Sequence, residues 1–368
     1  RETAKSELSQ EGAKSLSEIA DGFFAIEDFE NARITFEELS KFPPSALEGL
    51  DVPSIHYSIA YCLYKEGKYR EAAEKLSEFI SNYPTGELAW KARLYLAKSL
   101  RLSGQAQQAR EILKMLWQEN LPEELKRETD KEMGKCYLSL KDDPSALEEY
   151  RRLCQRNVLP GAIYIGEDSQ SPRDWLGKYG ETSFILCGIH YGRDIVGGEY
   201  EPVELGEPSV VDERTRESLS EEGAPKIGYK PRTATPAIEV VRHIISVSEE
   251  ETEMGPLLDP LSSRHINAEW NDGGWANPEE EGPGLFVDLR DIPPGIYRLA
   301  LFMREHEVRL MDDEGRILAV KPRKEERAKE NMPNLYECFV VFGPIDLTIH
   351  LLRGKSFYTT LSGIFLDK

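Results

Sequence analysis

The sequence predicts a multidomain chain, α then β: a helical solenoid over residues 13–156, followed by an antiparallel β-sandwich over 160–368. Two observations predict this. Between residues 16 and 156 one helical pattern is written four times with five columns in register. Beyond Pro160 that period stops, Gly and Pro become frequent, and short runs alternate apolar with polar residues.

The register of the first half is strict. Ala60, Ala97 and Gly134 are 37 residues apart, as are Leu63, Leu100 and Tyr137. The same spacing holds for Ala72, Ala109 and Ala146, for Leu76, Leu113 and Tyr150, and for Phe79, Leu116 and Leu153. An earlier copy (Ala20, Phe23, Ala32, Phe36, Leu39) stands 40 residues before the first of these, with three extra residues in the loop Pro43 to Pro53. A period in this range predicts stacked helix pairs, because one short pair cannot bury its own apolar face. Within the second copy the spacing predicts a helix over Ile55–Glu66, a turn at Gly67-Lys68, and a helix over Tyr69–Asn82 that stops before Pro84. The Ala and Gly columns fall where two helices approach closely.

This pattern resembles the tetratricopeptide (TPR) repeat: the small residue of the first helix, the Ala of the second and the closing Pro all match. The segment from Tyr69 to Ala92 is similar to a bacterial subtype found in periplasmic and outer-membrane-associated scaffold proteins. The resemblance implies a protein-interaction scaffold or adaptor subunit of the bacterial envelope, periplasmic or otherwise extracytoplasmic. Residues 1–12, opening at Arg1, read as a polar N-terminal tail of a mature or trimmed form whose signal or lipid anchor has been removed.

In the second half, strands are predicted at 162–166, 183–191, 238–247, 284–289, 295–304, 307–312, 316–320, 336–342, 346–352 and 359–366. Asp312-Asp-Glu-Gly315 reads as a hairpin turn and Ile292-Pro-Pro-Gly295 as a tight entry into a strand. The stretch 199–236, rich in Glu, Pro, Gly and Ser, reads as a mobile surface insertion. Lys321 to Asn334 reads as a solvated charged loop. Three segments stand in the order of one family: Asp174 to Gly180 with Phe184 to Ile189, then Asp288 to Leu301 with Glu307 to Gly315, and last Leu361 to Asp367. They resemble the galactose-binding-like, jelly-roll sandwich of planctomycete-type extracytoplasmic proteins. That resemblance implies the fold, and sugar binding only as an analogy.

Composition narrows the function. The chain has 368 residues, enough for two or three domains, and a net charge of -20, most of it in the second half. An acidic chain repels nucleic acid and anionic membrane, so neither is an expected partner. No apolar run reaches the roughly 18 residues of a membrane span. The five cysteines are odd in number and unpatterned, and read as buried thiols; a Cys187–Cys338 bridge is the one pairing considered. HExxH, P-loop, GxSxG and dinucleotide fingerprints are absent and the six histidines are scattered, so no catalytic residue, no enzyme activity and no cofactor are expected. Asn271, Asp272, Asp288, Asp291, Asp312 and Asp313 are residue types that suit calcium but lack EF-hand ligand spacing, so no metal site is assigned.

Two faces remain as candidate sites. Repeat phase places Ser54, Tyr57, Tyr61 and Tyr64 on the first-helix face that turns inward in stacked arrays. Lys91, Leu94, Lys98 and Arg101 follow in the third copy, and Glu128, Lys131, Lys135 and Leu138 in the fourth. A tyrosine-lined stretch therefore runs into a basic one, which suits a protein partner offering an acidic peptide or surface. The alternative is carbohydrate binding on the sandwich loops, with Trp275, Asn271, Asp272, Asn277 and Tyr179 holding a glycan. Trp175 and Trp270 read as core residues. Exposure of Tyr61, Trp175 and Trp275 separates the two readings.

Overall fold

The computed structural model describes residues 10–155, 160–168, 175–190, 193–198, 201–204, 228–233, 240–248, 257–260, 263–272, 284–324, 334–354 and 359–368. The chain divides into two compact units, Arg1–Leu140 and Lys141–Lys368.

Helices come first: α1 (Gln10–Ala25), α2 (Phe29–Leu39), α3 (Val52–Lys65), α4 (Tyr69–Asn82), α5 (Glu87–Leu102), α6 (Ala106–Trp117), α7 (Glu123–Ser139) and α8 (Pro144–Gln155). The first six form the first three predicted pairs, and α7 packs on α6. Side chains start three of the helices: Asp28 accepts from Asn31 N, Asp51 from Ser54 N and Asp143 from Ser145 N, satisfying backbone donors of the first turn. The repeat columns are the core. Ala20, Ala32, Ala60, Ala72, Ala97 and Ala109 are fully buried, which lets helices touch at close range. The turn between paired helices uses a left-handed residue at one column, namely Glu27, Gly67 and Gly104. The fourth copy has Lys141 there, without a positive φ, and the division between units falls at that turn. Helix α8 therefore groups with the second unit, where the Tyr150 hydroxyl donates to the Pro160 carbonyl.

The second unit is antiparallel throughout its described pairings. A large sheet runs β11 (Ile317–Lys321), β10 (Glu307–Met311), β12 (Leu335–Leu352), β9 (Leu285–Met303), β14 (Gly363–Asp367), β2 (Ser183–His190), β3 (Arg193–Gly198), β4 (Glu201–Glu204). Strand β1 (Ala162–Asp168) joins β12, and β5 (Gly228–Thr233) joins β9. A small sheet holds β13 (Thr360–Leu361), β8 (Arg264–Asn271) and β6 (Val241–Ser248), with β7 (Leu257–Asp259) on β8. Two shared cores join the sheets. Trp270 and Leu361 of the small sheet pack with Val287, Leu299, Leu301 and Ile364 of the large one. Leu257, Ile266 and Ala268 pack with Phe184, Phe302 and Phe365.

Several expectations need correction. The predicted strands at 284–289 and 295–304 are one strand, β9, and those at 336–342 and 346–352 are one strand, β12. The Ile292–Gly295 segment is an irregularity inside β9, facing register shifts around Ile345 in β12. Gly343 is required there, because a Cβ would run into the Pro293 carbonyl. The predicted insertion contains β4 and β5, and β5 is hydrogen-bonded to β9; the rest of it lies outside the described residues. Lys321 is no solvated loop residue. Strand alternation turns it inward beside Ala319, where Glu305 and Glu337 neutralise it. Cys187 and Cys338 belong to different cores, and all five cysteines are free thiols.

Candidate functional site

The first helices of successive copies build one continuous face. On α3, Tyr57, Tyr61 and Tyr64 recur at i, i+4 and i+7, so one side of the helix carries all three. Their rings meet Tyr95 of α5: Tyr61 at 4.9 Å and Tyr64 at 5.0 Å between centroids, both edge-on. Tyr57 stacks on Tyr61, and Phe24 of α1 closes against Tyr61 at 5.6 Å. Burial pushes the Tyr57 and Tyr95 phenols upward and Tyr64 to about 12, so all three are neutral. The result is a half-buried aromatic wall with one side open.

Ions adjoin the wall. Lys98 of α5 lies 4.7 Å above the Tyr95 ring. The same amine meets Glu128 of α7 at 3.3 Å, and Lys131 meets the other Glu128 oxygen at 3.0 Å. One turn on, Arg101 donates to Glu132 at 2.5 Å and 3.4 Å in a two-point pair. Lys98 therefore joins the aromatic and ionic halves, its amine over Tyr95 and on Glu128. Lys135 is half-buried, and burial lowers its pKa, with Glu132 opposing and Arg101 and Lys98 assisting. Lys135 forms no ion pair with a described residue.

Of the sequence-predicted partner-binding residues, Tyr57, Tyr61, Tyr64, Lys98, Arg101, Lys131 and Lys135 fall on this face. Lys91, two turns before Lys98 on the same helix, pairs with Glu87. Leu94 is buried in the helix crossing, and Tyr95, one position on, is the aromatic that faces outward. Tyr95 and Glu132 escaped the sequence reading; Tyr95 sits one residue off the repeating column, and Glu132 is one helical turn beyond Glu128. The basic strip is also less basic than predicted, because Glu128 and Glu132 already neutralise Lys98, Lys131 and Arg101.

The described members of the alternative set, Tyr179, Asn271 and Asp272, are buried. Tyr179 is 1% exposed, its ring stacked on Tyr336 and its hydroxyl donating to Asp168. It is a core residue because the motif that carries it closes over the sheet. Asn271 and Asp272 are buried, and Asp272 accepts from Thr359 N and Oγ1. Trp175 and Trp270 are fully buried, their indole N–H groups donating to the Leu258 carbonyl and to Asp194. Trp275 and Asn277 lie outside the described residues. Among the described residues no three His, Cys, Asp or Glu side chains gather into a metal-holding group, and no helix is long and apolar enough to cross a membrane. A separate cleft of about 340 Å³ lies between α2, α3 and α4, floored by His56, Ile59 and Phe79. Its rim mixes Lys41 and Lys75 with Glu37 and Glu78, which gives it no preference for either charge.

Among solved structures, nearly identical TPR-like repeats of a Podosopora anserina putative kinesin light chain align with TM-score 0.31 and 19% identity, over 40% of this chain and 76% of that one. A point variant of those repeats aligns with TM-score 0.32 and 18% identity, over 39% of this chain and 74% of that one. No curated protein matches the chain. A tetratricopeptide repeat family model matches residues 56–86 and 91–120, the second and third copies. By that match the N-terminal region is built of tetratricopeptide repeats, a protein-interaction scaffold in kind, and no enzyme family is indicated.

Proposed function

We propose that this chain is a non-enzymatic adaptor of the bacterial envelope that holds an extended, acidic segment of a protein partner along the face of α1, α3, α5 and α7. The observation that carries the reading is the join between the Tyr57–Tyr61–Tyr64–Tyr95 wall and the cations Lys98, Arg101 and Lys135. Aromatic rings offer contact area at low entropic cost, and the cations set orientation and rate of encounter. The extracytoplasmic setting is supported by the likeness of Tyr69–Ala92 to the periplasmic repeat subtype. No comparable support exists for a glycan partner.

The test uses a fluorescein-labelled peptide of alternating glutamate and phenylalanine, with a lysine–phenylalanine peptide as control. Fluorescence anisotropy should show the acidic peptide bound and the basic one not. Lys98→Glu with Lys135→Glu should abolish binding while leaving the circular dichroism spectrum unchanged. Arg101 is left alone, because reversing it would face the buried Glu132 with a second carboxylate, whereas Glu128 opposite Lys98 is exposed and can turn to solvent. The difference between parent and variant should shrink in salt, since exposed charges are screened over about 8 Å at physiological ionic strength. Equal binding by parent and variant removes this face as the site.

A further inference from the structure

Glu128 and Glu132 stand one turn apart on α7, and both face cations of α5, but their surroundings differ. Glu132 has 2% of its side chain exposed and is clamped by Arg101 at two points. Glu128 has 41% exposed and is held by two lysines, Lys98 on α5, itself 14% exposed, and Lys131 on its own helix. A buried pair is costly to break, because it strands a charge away from water. An exposed pair costs little, because water and salt replace the partner. Glu128 also occupies a particular place: its carboxylate lies on Lys98, whose amine sits over the Tyr95 ring at the junction of the aromatic and ionic halves.

We propose that Glu128 is a built-in occupant of the partner's carboxylate site, a displaceable stand-in that holds Lys98 and Lys131 until an acidic side chain of the partner takes its place. This rests on the reading of the face as the partner-binding site. The occupant it calls for is an extended protein segment with an Asp or Glu next to an aromatic or bulky apolar residue. The carboxylate would sit between Lys98 and Lys131 with Lys135 nearby, and the apolar side chain would lie against Tyr95 and Tyr64. Charge complementarity favours the exchange: Glu128 offsets one of the two positive charges and occupies both amines, so an incoming carboxylate gains full contact with Lys98 and Lys131 only as Glu128 swings to solvent. Glu132 is the fixed counterpart, which keeps Arg101 oriented and never leaves.

The experiment measures Kd for the labelled glutamate–phenylalanine peptide at low salt. Glu128→Gln should tighten binding by about 2- to 5-fold, the factor that an exposed ion pair contributes to a binding constant. In a Lys98→Gln background the same change should do nothing, since the contested cation is gone. Glu132→Gln should lower the melting temperature without tightening binding. If the parent binds and the Lys98→Glu/Lys135→Glu variant does not, yet Glu128→Gln binds no tighter than the parent, this inference fails alone. If the parent does not bind the peptide, or the charge-reversed variant binds it as well, the proposed function fails and takes this inference with it.

Discussion

Arg101–Glu132 in the helical array and Lys321–Glu305 in the β unit both bury a carboxylate, yet they come about differently. Arg101 reaches its partner from a half-exposed face, across two helices whose register the repeat sets. Lys321 is wholly buried, and meets Glu305, Glu337 and the His306 carbonyl inside the sandwich. The array keeps its core mostly apolar and small, and carries most of its ion pairs at helix surfaces. The β unit takes charge inside, as at Asp194, which accepts from Gly188 N, Trp270 Nε1 and Arg242. The contrast shows that a repeat specifies a core by spacing, whereas a non-repeating sandwich also uses buried hydrogen bonds to fix which strands meet.

If this contrast is right, the largest effect belongs to the β unit. Asp194→Ala should destabilise it by about 3–5 kcal/mol, because Arg242, only 9% exposed, would keep a buried charge without its partner. Urea unfolding in a Trp90→Phe/Trp117→Phe background, where the remaining tryptophans all lie in the β unit, should move to lower urea by tryptophan fluorescence. An unchanged midpoint would mean that the network holds nothing together.

A pH effect comes next. Burial lifts the Glu269 carboxyl to about 7, against the pull of Arg304 and Asn271. A folded pKa above the unfolded one of about 4.5 means that the fold prefers the protonated acid. Its contribution is full below pH 4.5 and is lost as the pH rises through 7. The loss is roughly 3 kcal/mol by pH 8. Glu269→Gln should therefore be more stable than the parent at pH 8 and equal to it near pH 4.5. A constant offset between the two melting curves across that range would contradict this assignment.

The smallest effect lies in the array. Ala97→Leu and Gly134→Leu should each cost about 1–3 kcal/mol by overpacking a helix crossing. Helical circular dichroism at 222 nm should register the shift in the thermal melt, while tryptophan fluorescence in the Trp90→Phe/Trp117→Phe background should not move. Melts that match the parent would show that the small-residue columns are not contact points.

How much was legible follows from the distance over which each contact acts. Ala60, Ala97 and Gly134 could be placed from spacing alone, since each packs against helices within its own or the next copy. Tyr57, Tyr61 and Tyr64 followed from the same phase. Tyr95 did not, because a helix rotated by one residue exchanges Leu94 for Tyr95 at the surface, and spacing does not resolve that. In the β unit, alternation located many strands but not their partners. Strand β5 lay hidden in a stretch read as an insertion, although Tyr229 stacks on Trp270. Tyr179 looked like an exposed loop aromatic and is in the core.

The sequence by itself determined that eight helices form TPR-like repeats, that their small columns are buried, and that antiparallel strands follow. These rest on periods of a few residues and on a spacing of 37, both carried by neighbours along the chain. Tertiary structure alone decided that Glu128 stays at the surface while Glu132 is buried, that Lys321 turns inward, and that Tyr164 donates to Glu337 across 173 residues. Side-chain type cannot announce such contacts, because burial and partner are set by which distant strands and helices pack together.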